Sequence, residues 1–96
     1  MLSRRLEQYT LKRPKEVLLI SAEIEGEADE ILVFKGFSSS LMRSTAFNPD
    51  IPVLPETAKI MGCDRLNSPY NPDNPQYIQQ GLSLDSLEAL FAEVGV

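Results

Sequence analysis

Two apolar runs that lie close together in the chain limit what this protein can fold into. Val17–Ile24 and Ile31–Phe37 are rich in Val, Ile, Leu and Phe, and each has the length of a β-strand rather than of a helix. The connector between them, residues 25–30, holds four acidic residues around a glycine. We favour a solvated hairpin tip over a cation site there, because the alternating acids offer no convergent ligand geometry. The two runs therefore predict an antiparallel hairpin on which the rest of the chain packs.

Alternation within the second run predicts which side chains share a face. Ile31, Val33 and Phe37 are expected on one face, with Leu32 and Phe34 on the other. Because the first run also begins with apolar residues on both faces, part of the sheet is expected to be covered on both sides.

A third strand is expected between Ala58 and Leu66, where apolar residues alternate again. Gly62 inside this pattern indicates a β-bulge or close packing. Cys63 is interpreted as a small core residue rather than a nucleophile.

A helix is expected at each end of the chain. Apolar residues at helical spacing predict a short one from Leu2 or Ser3 to about Tyr9. The C-terminal one begins after Ser83, a good N-cap, and ends before Gly95, which suits the left-handed position that closes a helix. Its apolar stripe is expected to bury Leu87, Leu90 and Phe91.

These elements predict an α+β domain in the 96-residue chain. We expect three or four antiparallel strands, with the C-terminal helix Leu84–Val94 packed on one face of the sheet. A further short strand near Val53 would turn the sheet into a small open barrel.

Composition argues against most catalytic classes. The chain has no His and one Cys, so it cannot form a Ser–His or Cys–His pair, or a zinc or iron–sulfur site within one chain. We therefore expect no enzyme activity, cofactor or metal, with a carboxylate- or metal-dependent enzyme as a remote alternative. No apolar run approaches the roughly 18 residues of a membrane span, and a cytoplasmic protein is expected.

Charge is unevenly distributed along the chain. Residues 1–15 hold five basic residues and one acidic residue, whereas residues 16–96 hold four basic and 13 acidic residues. We favour a helix docked on the domain over a nucleic-acid-binding arm, because the basic residues are not interleaved with a platform of aromatic residues on which bases would stack. If it does bind RNA, the contacts would come from its basic residues, namely Arg4, Arg5, Lys12, Arg13 and Lys15.

A serine-rich segment is the first candidate for a binding site. Ser38, Ser39, Ser40 and Arg43 follow Gly36, so the segment suits either an anion site at a helix start or a turn capped by hydroxyl groups. We favour the capped turn.

A proline-rich segment is the second candidate. Prolines recur every three residues at 69, 72 and 75, which is the repeat of a polyproline II helix and would align the rings on one edge. The segment is interpreted as a loop packed against its own domain, or as an extended surface segment that contacts a partner. Its candidate contacts are Pro69, Tyr70, Asn71, Pro72 and Tyr77. We expect the two segments to bind another protein or a second copy of the chain.

The chain also resembles a known family in two stretches. These are residues 13–50 and 58–96, and the most specific parts are FKGFSSSLMR and SPYNP. The sequence is similar to a small uncharacterised domain family of cyanobacteria and chloroplasts that has no established activity. The resemblance implies a photosynthetic-lineage setting, cytoplasmic or stromal, and implies no catalytic residue.

Overall fold

A computed structural model describes residues 2–41, 54 and 57–96. In these residues five strands form one open antiparallel sheet with the order β3-β2-β1-β4-β5. The α+β prediction is confirmed, with five strands in place of three or four, and the sheet does not close into a barrel. Val53, near which a further strand was predicted, lies outside the described residues. The elements in chain order are α1 Leu2–Lys12, β1 Glu16–Ile24, β2 Glu27–Phe34, β3 Phe37–Ser40, β4 Lys59–Asn67, β5 Tyr77–Leu82 and α2 Leu84–Val94.

Two-residue loops join the first three strands. Glu25 and Gly26 have φ values of 53° and 81°, and Lys35 and Gly36 have values of 49° and 83°. Positive φ at both central positions is the type I′ geometry, whose twist matches that of a β-hairpin. The predicted connector over residues 25–30 was therefore too long, because β2 begins at Glu27.

The second loop overturns the predicted position of one aromatic side chain. Phe37 does not continue β2 beside Ile31 and Val33; it begins β3, where it pairs with Phe34. Its side chain is 80% exposed. The chain reverses at Lys35–Gly36, so the period-two count from Val33 no longer applies beyond Phe34.

Both helices pack on the same face of the sheet, called here the core face. The ring centroids of Tyr9 in α1 and Phe91 in α2 lie 6.1 Å apart in an edge-to-face contact. The buried cluster comprises Leu6, Tyr9, Leu18, Ile20, Ala22, Ile24, Ile31, Val33, Leu54, Cys63, Leu82, Leu87 and Phe91. The opposite face of the sheet is called the outer face.

A β-bulge in β4 aligns Cys63 with the core. Ser21 pairs with Gly62 and Ala22 pairs with Ile60, so Met61 is the extra residue and the bulge predicted near Gly62 is confirmed. Cys63 is buried, and burial, together with the negative charge of Asp64, raises its thiol pKa to about 12. A thiol protonated in this way is a poor nucleophile.

Helix α2 has the predicted caps but a narrower buried stripe. Ser83 Oγ accepts a hydrogen bond from the Ser86 N–H, and Gly95 is left-handed with φ 79°. Leu87 is fully buried with Phe91, whereas Leu90 is only partly buried. The prediction that α2 buries Leu87, Leu90 and Phe91 is therefore confirmed for Leu87 and Phe91 and only in part for Leu90, which packs against the core cluster while remaining partly exposed.

Candidate functional site

The two segments predicted to contact a partner lie at opposite edges of the sheet. Ser38–Ser40 belong to β3 at one edge, and the segment 68–77 leads into β5 at the other edge. Three strands separate them, a distance of roughly 19 Å at the usual spacing between strands. A partner of small size would therefore contact one segment or the other, and the role of these residues as contacts stays a prediction.

The serine segment is a strand rather than a turn or a helix start. Ser38 Oγ donates a 2.8 Å hydrogen bond to Glu7 Oε2, and Ser40 Oγ lies 2.9 Å from both carboxylate oxygens of Asp29. Both hydroxyls thus hold the sheet edge against acidic groups within the domain. Ser39 alternates onto the outer face, where it pairs with Leu32. Arg43 lies outside the described residues.

The proline segment is folded back on itself and is not a continuous polyproline helix. The Asn74 N–H donates to the Asn71 carbonyl over 3.1 Å, which closes a four-residue turn around Pro72. The Asn71 side chain also accepts a hydrogen bond from the Asp73 N–H. The three proline rings therefore do not share one edge. Of the predicted contacts, Pro69, Asn71, Pro72 and Tyr77 are exposed, and Tyr70 is partly buried.

The basic N-terminal segment folds as a docked helix, and two of its five basic side chains contact α2. The Arg5 guanidinium lies 4.7 Å from the Phe91 ring centroid and 3.8 Å from the Glu88 carboxylate. Arg13 lies 3.3 Å from the Glu93 carboxylate. The remaining three predicted nucleic-acid contacts are exposed, namely Arg4, Lys12 and Lys15.

A cavity at the end of α1 is lined by residues 12–16 and has a volume of about 290 Å³. Its lysine and arginine side chains would attract an anion. However, Arg13 already pairs with Glu16, and the helix ends there with its carbonyl groups, which carry partial negative charge. The cavity is therefore a poor anion site.

Beside this cavity, Glu16 is the centre of a buried polar network. Its Oε1 atom accepts hydrogen bonds of 2.8 Å from both the Tyr9 hydroxyl and the Arg65 Nε. Burial would raise the pKa of Glu16, but hydrogen bonds from Arg65 and Tyr9 and the positive charges of Arg65 and Arg13 outweigh burial and lower it. Arg65 also donates to the side chain of Gln79 in β5. The network joins α1, β1, β4 and β5, and we interpret its role as structural.

A row of apolar residues crosses the outer face along all five strands. Phe37 pairs with Phe34, Val17 pairs with Leu66, and Leu66 pairs with Tyr77. Val17 and Leu66 in the middle of the row are fully buried, so the outer face is covered at that point. This agrees with the expectation of a sheet that is partly covered on both sides.

The β3 end of this row is open to solvent. Leu19, Leu32 and Phe34 are only partly buried, and Phe37 is the most exposed large apolar side chain in the described part of the chain. Leu11, which is 60% exposed, packs beside Gly36 next to Phe37. We call Leu19, Leu32, Phe34 and Phe37 the outer apolar patch. Contiguous exposed apolar surface of this kind marks interaction sites more often than isolated apolar residues do.

Charged residues stand at both ends of the outer apolar patch. Lys35 Nζ lies 5.2 Å from the Phe34 ring centroid, which places the amine over the outer face. Glu30 and Glu23 alternate onto the same face farther along the hairpin, and both are exposed. Neither carboxylate forms a salt bridge with any residue that the structure describes.

Sequence reasoning missed this patch because it assigned Phe37 to the core. The signal that could have found it is the Lys35–Gly36 pair between two strand-like segments. A residue followed by glycine there is typical of a two-residue hairpin loop, and such a loop returns Phe37 to a position opposite Phe34.

Within the described residues, no group of three or more acidic or cysteine side chains is arranged to hold a metal ion. No helix in that same part of the chain is long and apolar enough to cross a membrane. No curated protein and no solved structure matches the chain significantly. A family model matches residues 3–91, nearly all of the sequence. The chain therefore belongs to the family described as a domain of unknown function, DUF7734.

Proposed function

We propose that this protein is a non-catalytic protein-interaction module of a photosynthetic-lineage cell, acting in the cytoplasm, and that a protein partner docks on the outer apolar patch. The observation that carries the proposal is Phe37, which is 80% exposed beside three further apolar side chains on the same face. Burial of a phenylalanine side chain contributes about 1.5–3 kcal/mol. An aromatic residue of this kind is typical of the anchors that dominate interfaces.

The position of the patch supports docking without rearrangement of the fold. Leu32 is held by pairing with β3 on one side and β1 on the other, and Phe34 is held by pairing with β3. A partner would meet a rigid surface and lose little free energy to ordering it. Ser39, a predicted contact in β3, also lies on the outer face and would border the same partner.

The test is affinity capture from a photosynthetic cell lysate with the wild-type chain and a Phe37→Ser variant. The variant should fold normally, because the side chain is already exposed, and should lose its specific partner. Met61→Ser is the matched control, since Met61 is an apolar residue that is 61% exposed at the β4 bulge. Identical partner sets for wild type and Phe37→Ser would overturn the proposal.

A further inference from the structure

The outer face carries a directional order of charge along the hairpin. Lys35 lies at the β2–β3 loop with its amine over Phe34. The apolar residues Phe34 and Leu32 follow along β2, and Glu30 stands beyond them on the same face. Lys35 and Glu30 are five positions apart, a span of roughly 17 Å along a strand. Along β2 from the β2–β3 loop, the outer face is therefore first positively charged, then apolar, then negatively charged.

Two copies of this surface are complementary in charge when they are related by a suitable twofold axis. Consider two outer faces in contact, with a twofold axis that runs between them and across the strands. The rotation reverses the strand direction, so Lys35 of the first copy faces Glu30 of the second copy. The symmetry then also places Glu30 of the first copy opposite Lys35 of the second copy. The apolar residues meet in the middle at the spacing of about 10 Å that is usual for packed sheets.

We propose that the occupant of the outer apolar patch is a second copy of this chain in this twofold arrangement, an inference that rests on the proposed function and names its partner. Glu23 and Glu30 repel the anionic surfaces of nucleic acids and membranes from this face. Pairing of sheet edges is disfavoured, because β3 has only four residues and the β4–β5 pairing is interrupted by two register shifts.

The dimer is weak. The outer apolar patch is small beside the roughly 1,200 Å² of total buried surface that stable complexes need. Each chain also carries a net charge of −5, which opposes association at low salt. At about 0.15 M salt the screening length is about 8 Å, so the repulsion between whole chains is largely screened while close ion pairs are less affected.

The experiment is analytical ultracentrifugation of the full chain, from about 10 μM to about 1 mM, the range in which small interfaces associate. Lys35→Glu and Glu30→Lys should each weaken the dimer about tenfold or more, because each change acts at two symmetric places. The Lys35 position tolerates a glutamate, since Glu25 adopts the same backbone conformation in the other hairpin loop. Asp73→Lys, an exposed charge reversal in the loop before β5, should leave dimerisation unchanged.

Mixing the two single variants provides the decisive readout. In the mixed dimer, the carboxylate introduced by Lys35→Glu in one chain faces the ammonium group introduced by Glu30→Lys in the other chain. At the opposite end of the interface, the unchanged Glu30 and Lys35 face each other as in the wild type. The mixture should associate about as strongly as wild type, although each variant alone associates at least about tenfold more weakly. Failure of the mixture to associate would overturn the inference.

Two further outcomes separate this inference from the proposed function. A wild-type chain that stays monomeric over the whole range would overturn the inference, while loss of a captured partner in Phe37→Ser would still support the proposed function. Wild-type dimerisation that Phe37→Ser leaves unchanged would also overturn the inference, because the dimer would then use another surface.

Discussion

The Arg65 guanidinium and the Glu16 carboxylate are 2.8 Å apart, although 49 residues separate them in the chain. The same carboxylate oxygen accepts the hydrogen bond of the Tyr9 hydroxyl. Both charged side chains are nearly buried. This contact fixes α1 and β4 to the start of β1, and it makes the stability of the fold depend on the ionisation of Glu16.

Replacing Glu16 with glutamine should lower the free energy of unfolding by about 2–4 kcal/mol at neutral pH, because Arg65 is left charged and without its ion pair. Glu93→Gln is the control, since its salt bridge with Arg13 is exposed and should contribute at most about 1 kcal/mol. Urea unfolding of the two variants measures both changes. Equal, small losses would show that the buried network contributes no more than a surface ion pair.

The same carboxylate should set an acid limit to stability. The pKa of Glu16 in the folded state is lowered from its ordinary value of 4.5. Its contribution is therefore complete above pH 4.5 and is lost as the pH falls through the folded-state value. Unfolding measured over the acid range should show a shallower pH slope for Glu16→Gln than for wild type. Parallel slopes would contradict the lowered pKa.

Tyr9 should set an alkaline limit. Burial, the hydrogen bond to Glu16 and the negative charge of Glu16 raise its pKa from 10.0 to about 12. The folded state therefore holds the proton more tightly, and the contribution to stability is complete below pH 10 and is lost as the pH rises towards 12. Tyr9→Phe should remove this pH dependence and cost about 1–2 kcal/mol at neutral pH. Tyrosinate absorbance in the folded protein follows the titration, and ionisation of Tyr9 near pH 10 would refute it.

Replacing Leu87 with alanine should destabilise the protein by about 2–5 kcal/mol, because Leu87 is buried in the core and the change leaves a cavity. Leu84→Ala, at a position 42% exposed on the same helix, should cost less than about 0.5 kcal/mol. Denaturant unfolding compares the two. A large loss at Leu84 would mean that α2 presents a different face to the sheet.

Replacing Gly36 with alanine should cost more than replacing Gly26. Both residues have positive φ values, 83° and 81°, so each substitution places a side chain in the left-handed region at a cost of about 1–2 kcal/mol. A methyl group at Gly36 would also lie 3.0 Å from Leu11 Cδ2, whereas nothing lies within 4 Å at Gly26. The additional Leu11→Ala change should remove the difference between the two glycine variants in thermal unfolding.

RNA binding by the basic segment should be weak, with a Kd of about 10⁻⁴–10⁻⁶ M at physiological salt. Only Arg4, Lys12 and Lys15 remain exposed for phosphate contacts. Deletion of the segment is not a clean test, because Leu6 and Tyr9 belong to the core. The triple change of Arg4, Lys12 and Lys15 to serine, compared with Lys59→Ser in a labelled-RNA titration, is the suitable measurement. Sub-micromolar binding that the triple change abolishes would favour a nucleic-acid partner.

The sequence by itself determined the elements that depend on local chemistry. The apolar runs predicted β1 and β2 as an antiparallel pair, and Ser83 and Gly95 predicted the ends of α2. Gly62 indicated the bulge in β4. Each of these depends on neighbouring residues, on side-chain alternation, on a capping hydroxyl or on a left-handed glycine, so the pattern is visible within about ten residues.

The tertiary structure alone decided which surfaces are buried and which remain open. β3 holds three serines after Phe37 and has no apolar alternation, so only pairing with β2 makes it a strand and turns Phe37 to the outer face. The Glu16–Arg65 pair joins residues 49 positions apart, and no local pattern encodes such a contact. Strand pairing, rather than the intrinsic propensity of the residues, thus places the candidate interaction surface of this protein.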